Sequence, residues 1–193
     1  MSEVKSTFRL KTGDEAPAFS LPDPTGKVHR LGDVAGEKGT LVVFACNHCP
    51  FVVHLAQHLG SFAAEAAARG IATAAISSND VENYPADAPD KMTEFAASHG
   101  WNFPYLYDES QEVAKAYGAA CTPDFFLFDR DRKLFYAGQF DASRPKSDTA
   151  ITGADLQAAV DALLAGEAPP ADPFPSSGCN IKWKPGNEPP YFG

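Results

Sequence analysis

The sequence predicts an α/β fold: a mixed central sheet flanked by helices, preceded by an N-terminal hairpin and followed by an extended C-terminal arm. Three observations carry this expectation. The first half alternates buried-strand and helix patterns, Thr40 to Cys46, Pro50 to Gly70 and Ile71 to Ser77, which is the signature of a parallel β-α-β unit. Two later apolar runs, Asp124 to Phe128 and Leu134 to Gly138, flank the turn Asp129-Arg130-Asp131-Arg132, and a closing hairpin makes the sheet mixed. The 193 residues, 44% of them hydrophobic and 11% aromatic, suffice for one domain with a real core and exclude a wholly disordered chain.

In order along the chain, Ala18-Phe19-Ser20-Leu21 and Lys27-Val28-His29-Arg30-Leu31 flank a turn at Asp23-Pro24-Thr25-Gly26, which predicts the hairpin. Thr40 to Cys46 is β-branched and aromatic, too short for a helix and apolar on both faces, as a central strand is. Pro50 suits the first turn of a helix in which Val52, Leu55, Ala56, Leu59, Phe62, Ala63 and Ala66 keep helical spacing, and Gly70 supplies the stop. Ile71 to Ser77 reads as a second buried strand. Pro89 to His99 reads as a helix closed by Gly100, Tyr105 to Tyr107 as a short strand, and Ser110 to Tyr117 as a helix stopped by Gly118. After the closing hairpin, Thr152 is placed to cap a helix reaching Ala165. The expected division is thus a domain over 1–166 and a Pro-rich arm over 167–193. Seven prolines there exclude a regular element, yet Phe174, Cys179, Ile181, Trp183, Tyr191 and Phe192 give it anchors. Lys182 and Lys184 alternate with Trp183, as in a strand-like segment docked by one face.

Sixteen Lys and Arg against 25 Asp and Glu leave a net charge of −9 without a basic cluster, which argues against nucleic acid and anionic membrane as partners. No apolar run approaches the ~20 residues of a membrane span, and the first residues lack the ~7 to 15 apolar residues of a secretory signal. A soluble, cytoplasmic protein is expected. Four cysteines in a chain this long are no disulfide scaffold, so any role they have is chemical.

The strongest local signal is Cys46-Asn47-His48-Cys49, between a buried strand and the start of a helix. Two intervening residues bring the sulfurs close enough for a small disulfide ring, and the helix N-terminus stabilises whichever sulfur ionises. In such motifs the thiol pKa falls from about 8.5 toward about 3.5 to 7. An imidazolium at His48 would favour thiolate and make the disulfide more oxidising. The alternatives are half of a zinc site or two buried thiols packing as small hydrophobes.

These residues also carry a resemblance. Gly13-Asp14-Glu15-Ala16-Pro17-Ala18-Phe19-Ser20-Leu21, the Leu41 to Cys46 strand, Cys46 to Cys49 and Thr122-Pro123 resemble the thioredoxin-fold proteins of the redoxin and AhpC/TSA superfamily. Cys46 to Val52, Cys121 to Phe126 and Gly178 to Lys184 resemble, more narrowly, its peroxiredoxin-like thioredoxin family proteins. The resemblance implies a thioredoxin-like fold, Cys46 as an exposed attacking cysteine, Cys49 as a buried resolver, and Pro123 as a cis-proline facing the dithiol, with the backbone of Thr122 offered to substrate. It implies an oxidoreductase acting on a protein or small-molecule disulfide, or on peroxide, without a cofactor, and reduced by a thiol donor such as thioredoxin or glutathione. The chain departs from the peroxiredoxin Pro-x-x-x-Thr-x-x-Cys pattern. Counting back from Cys46 puts Val43 in the Thr position and Gly39 in the Pro position, while counting back from Cys49 gives Cys46 and Val42. Valine cannot hydrogen-bond a peroxide oxygen, so dithiol–disulfide exchange gains over efficient peroxide reduction.

Cys121 and Cys179 are candidate additional redox thiols. Cys121, two residues before Pro123, is expected near the dithiol as a relay thiol, a metal ligand with Cys46 and Cys49, or a reduced buried residue. Cys179 is either a packing residue of the docked arm or a thiol carried to the site. His54 and His58 share a helix face that Ser61 and Glu65 continue, which reads as a solvated stripe rather than a metal site. Trp101 and Trp183 read as packing residues. Asp124 either accepts a hydrogen bond near the site or is solvated at a strand edge.

Overall fold

The computed structural model describes residues 3–192; Met1, Ser2 and Gly193, the outer ends of the two expected segments, lie outside the described residues. All six residues of the central strand β4 (Gly39–Phe44) are buried, as its two-faced apolar sequence requires. It pairs in parallel with β5 (Ile71–Ser77), which pairs in parallel with β6 (Tyr105–Tyr107). On its other side β4 pairs antiparallel with β8 (Asp124–Asp129), which forms the expected hairpin with β9 (Leu134–Gly138). The five-stranded order is β6-β5-β4-β8-β9.

Alternation along β4 divides the core into two layers. Leu41 and Val43 face Val52, Leu55, Leu59 and Phe62 of α2 (Pro50–Ala68), Met92 and Phe95 of α3 (Pro89–Ser98), and Leu156 and Val160 of α5 (Ala154–Ala165). Val42 and Phe44 face the other way, toward α1 (Leu31–Val34), α4 (Glu112–Tyr117), the hairpin of β2 (Ser20–Pro22) and β3 (Val28–Arg30), and Ile181 and Trp183 near the C-terminus. Among the described residues no helix is long and apolar enough to cross a membrane.

Several boundaries differ from expectation for local reasons. Strand β4 ends at Phe44, so Cys46 lies in the turn into α2 rather than in the strand. Helix α4 begins at Glu112 because Gln111 takes a left-handed conformation (φ 66°) that directs its amide to Ser78 O and Lys182 O, 2.7 and 2.9 Å away. Thr152 is not the N-cap of α5. Gly153 holds that position, and the carboxylate of Asp141 accepts the Thr152 and Gly153 N–H groups at 2.7 Å each.

The C-terminal segment contains a strand where prolines were expected to exclude one. Strand β10 (Ser177–Asn180) fits in the gap between Pro175 and Pro185, where every residue keeps its N–H. It is the middle strand of a second sheet, between β1 (Glu3–Lys5) and β7 (Cys121–Thr122), with Cys179 opposite Thr122 and Asn180 opposite Cys121. Gly178 is required there, because a Cβ would collide with the Thr122 carbonyl oxygen. The expected alternation about Trp183 does not hold, since Lys182 is buried like its neighbours Ile181 and Trp183. Its ammonium is satisfied by Asn180 O and Oδ1, both at 3.0 Å, and lies 5.7 Å above the Tyr84 ring.

Candidate active site

The turn from β4 into α2 carries Cys46, Asn47, His48 and Cys49. Cys49 is the N-cap of α2 and Pro50 its first residue, so the dithiol sits at the positive end of a 19-residue helix. The two thiols are buried in one packed cluster. Opposite them the Thr122–Pro123 peptide bond is cis. Cys46 Sγ lies 3.5 Å from Thr122 Oγ1, and the Cys49 thiol donates to Thr122 O at 3.2 Å. Cys46, Cys49, His48, Thr122 and Pro123 are therefore brought together at the carboxyl end of β4.

One expectation is overturned. Cys46 is not the exposed member of the pair, for its relative exposure is 1% against 0% for Cys49. The cover on this side is long-range, with Asp87 coming within 4.8 Å of Cys46 and His48.

Asp87 is the functional residue that sequence reasoning missed. It ends a 3₁₀ turn (Pro85–Asp87) in the loop after β5, and is fully buried. Its Oδ1 accepts the Asn47 and His48 N–H groups at 2.8 and 3.2 Å. Its Oδ2 accepts Asn79 Nδ2 at 2.8 Å and pairs with His48 Nδ1 at 2.6 Å. The available signal was topological, since loops after adjacent parallel strands emerge at the same edge of a sheet. Burial would raise the Asp87 pKa, but the His48 and Asn79 hydrogen bonds outweigh it and hold the carboxyl below its ordinary range. The same bond raises His48, whose ring also stacks on Tyr84 at 5.8 Å. His48 is thus the counterion of Asp87, not a free cation beside the sulfurs.

The third thiol at the site is that of Cys179, not Cys121. Facing residues of an antiparallel pair share a side of the sheet, so Cys179 lies on the side of Thr122 that meets the dithiol, and it belongs to the same packed cluster as Cys46 and Cys49. Cys121 points to the other side, 3.6 Å from Pro123 O, and burial pushes its pKa well up. All four cysteines are free thiols.

Cys46 is held well above the ordinary thiol range by its neighbour Cys49, by burial and by the Asp87 carboxylate. Cys49 is held low by its neighbours Cys179 and then Cys46. The first proton to leave the cluster therefore leaves charge on Cys49.

Thr122 brings a hydroxyl to Cys46 from across the fold, which counting back along the strand to Val43 did not reveal; Val43 itself is buried beneath the helices. A metal could draw on Cys46, His48 and Asp87, whose ligand atoms lie within 4.8 Å of one another, in place of the expected set with Cys121. Both Asp87 oxygens already serve four donors, however. His54 is not solvated as expected but hydrogen-bonds Ser143 Oγ at 3.1 Å in a groove beside Pro123, whereas His58 is exposed. Trp101 packs in the core and donates to Ala56 O at 2.8 Å, and Trp183 is buried too. Asp124 is not solvated. It is fully buried, Oδ1 has no partner, and burial pushes its pKa to about 7.

The architecture is thioredoxin-like. An uncharacterised conserved protein of Geobacillus kaustophilus superposes with a TM-score of 0.92, is 49% identical, and aligns over 96% of this chain and 98% of its own. Peroxiredoxin Bcp of Escherichia coli is 29% identical over 137 residues, 65% of this chain and 83% of its own. The thiol-disulfide oxidoreductase ResA of Bacillus thuringiensis is 25% identical over 126 residues, 65% of this chain and 68% of its own. The family model named Redoxin matches residues 11–155, a span that holds the dithiol turn, Asp87 and cis-Pro123, and the chain belongs to this family of thiol oxidoreductases.

Proposed function

We propose that the protein is a thiol–disulfide oxidoreductase in which Cys46 is the nucleophile and Cys49 the resolver. The observation that carries this reading is the pair of thiols at the start of α2, both meeting Thr122 beside its cis bond to Pro123. Cys46 thiolate attacks one sulfur of a substrate disulfide and forms a mixed disulfide, releasing the other substrate sulfur as thiolate. Cys49, having taken the Cys46 proton, loses it to that leaving thiolate, attacks Cys46 Sγ and displaces the second substrate sulfur. The enzyme is left with a Cys46–Cys49 disulfide and the substrate is reduced by two electrons; the reverse sequence oxidises a dithiol. Thioredoxin or glutathione fits as the thiol donor, the cytoplasm is the compartment we assign, and residues 167–193 act as an arm that contributes to the site. With a protein disulfide as substrate, Cys49→Ser should accumulate a mixed disulfide at Cys46 and Cys46→Ser should form none; normal turnover by Cys49→Ser would refute the roles.

A second reading, peroxide reduction at Cys46, is favoured by one observation, the Thr122 hydroxyl 3.5 Å from its sulfur. The sequence counts against it, because Val43 stands where the peroxiredoxin pattern has its Thr and cannot hydrogen-bond a peroxide oxygen.

A further inference from the structure

We propose that Cys179 is a third redox thiol of this site, which takes Cys49 from Cys46 and moves the disulfide onto β10. The inference rests on the reading of Cys46 and Cys49 as a redox dithiol. Three features of placement support it. Cys46, Cys49 and Cys179 are buried in one packed cluster, and α2, which Cys49 caps, packs against β10. Strand β10 holds Cys179 in register with Thr122, whose carbonyl lies 3.2 Å from Cys49 Sγ. Cys179 is also on a segment tied to the cover of the site. Asn79 donates to Asp87 at 2.8 Å and accepts the Lys182 N–H at 2.8 Å, so the dithiol turn, its cover and the arm form one hydrogen-bonded unit.

The step is an internal exchange. The Cys179 thiol gives its proton to Cys46, and its sulfur attacks Cys49 Sγ. The Cys49–Cys179 bond forms as the Cys46–Cys49 bond breaks, and Cys46 is released as a thiol. No net oxidation or reduction occurs, since the oxidising equivalent came from the substrate disulfide that first oxidised the dithiol. Cys46 is then free for a further attack while α2 and β10 are joined covalently. Cys121, turned to the other side of its strand, takes no part.

The test is disulfide mapping of the full chain, equilibrated with a glutathione redox buffer, acid-quenched, alkylated and digested. In Cys46→Ser we expect loss of two of the three remaining thiols and a Cys49–Cys179 linked peptide. In Cys179→Ser we expect a Cys46–Cys49 peptide alone, with the wild type showing both isomers. Cys121→Ser, as a control, should match the wild type. Cys46→Ser that keeps Cys179 alkylated, while Cys179→Ser still forms Cys46–Cys49, overturns the role of Cys179 and leaves the dithiol standing. Failure of Cys179→Ser to form Cys46–Cys49, with circular dichroism showing it folded, overturns the dithiol reading itself. Should Cys179→Ser unfold, Cys179→Ala serves in its place.

Discussion

Replacing Asp87 by Asn tests whether one buried carboxylate organises the dithiol turn. The substitution keeps the shape and removes the charge. Three of the four hydrogen bonds, from Asn47 N, His48 N and His48 Nδ1, can persist as neutral ones. Bonds to a charged group contribute about 1.5 to 3 kcal/mol against about 1 for neutral pairs, so each loses roughly 1 kcal/mol. The fourth partner, Asn79 Nδ2, would meet a second amide donor. A loss of about 3 kcal/mol is expected where the pair is fully charged. That window follows from the two shifts. Asp87 is lowered, so its contribution is present above the unfolded carboxylate pKa of about 3.9 and is lost as pH falls through its folded value. His48 is raised, so its contribution is complete below the unfolded histidine pKa of about 6.5 and is lost as pH rises through its folded value. Urea unfolding of wild type and Asp87→Asn at several pH values should give a difference greatest between about pH 4.5 and 6.5 and smaller above the His48 transition. The ultraviolet thiolate titration of the variant should also shift down, because the carboxylate that opposes Cys46 ionisation is gone. Stability curves that stay parallel across the pH range would refute the His48–Asp87 coupling.

Asp124→Asn should flatten the pH dependence of stability between about pH 4 and 7. A buried carboxyl raised from 3.8 to about 7 favours the folded state less as pH rises, by at most about 4 kcal/mol at ~1.36 per unit; a variant as pH-sensitive as wild type would contradict this. Truncation after Gly166 should destabilise the fold by several kcal/mol, read by denaturant titration, since Ile181 and Trp183 alone bury side chains worth about 1.5 to 3 kcal/mol each; unchanged stability would show that the second sheet is dispensable. Peroxide turnover in a donor-coupled assay, with hydrogen peroxide and an organic hydroperoxide, should fall well below the diffusional range of about 10⁸ M⁻¹s⁻¹, and a rate near it would favour the peroxidase reading.

The dithiol turn was legible because every part of its signal is local: a β-branched strand, two cysteines at fixed spacing and Pro50 at a helix start. The five strands of the main sheet were legible for the same reason, their apolar runs being short and bounded by Gly, Pro and Asp. What escaped depends on parts of the chain meeting across long separations. Asp87 lies about 40 residues from the sulfurs, in a loop whose Pro and Ala neighbours say nothing of charge. The side of β7 on which Cys121 projects is fixed by its register with β10, and no periodicity in a two-residue strand can report it. Lys182 reads as a surface residue until Asn180 and Tyr84 are seen to enclose its ammonium. The resemblance supplied the cis-proline correctly and the exposure of Cys46 wrongly, because the loop that shields Cys46 differs from anything its motifs encode.

The central claim, that Cys46 and Cys49 form the redox dithiol, is tested most directly by titrating the wild-type chain through a graded thiol–disulfide buffer and mapping each cysteine after alkylation. The account predicts one intramolecular disulfide, formed with the two-electron slope of about 30 mV per tenfold change, with Cys49 in every linked peptide, Cys46 as a partner and Cys121 alkylated throughout. Oxidation that leaves Cys49 alkylated, or that joins Cys121 to any partner first, would contradict it.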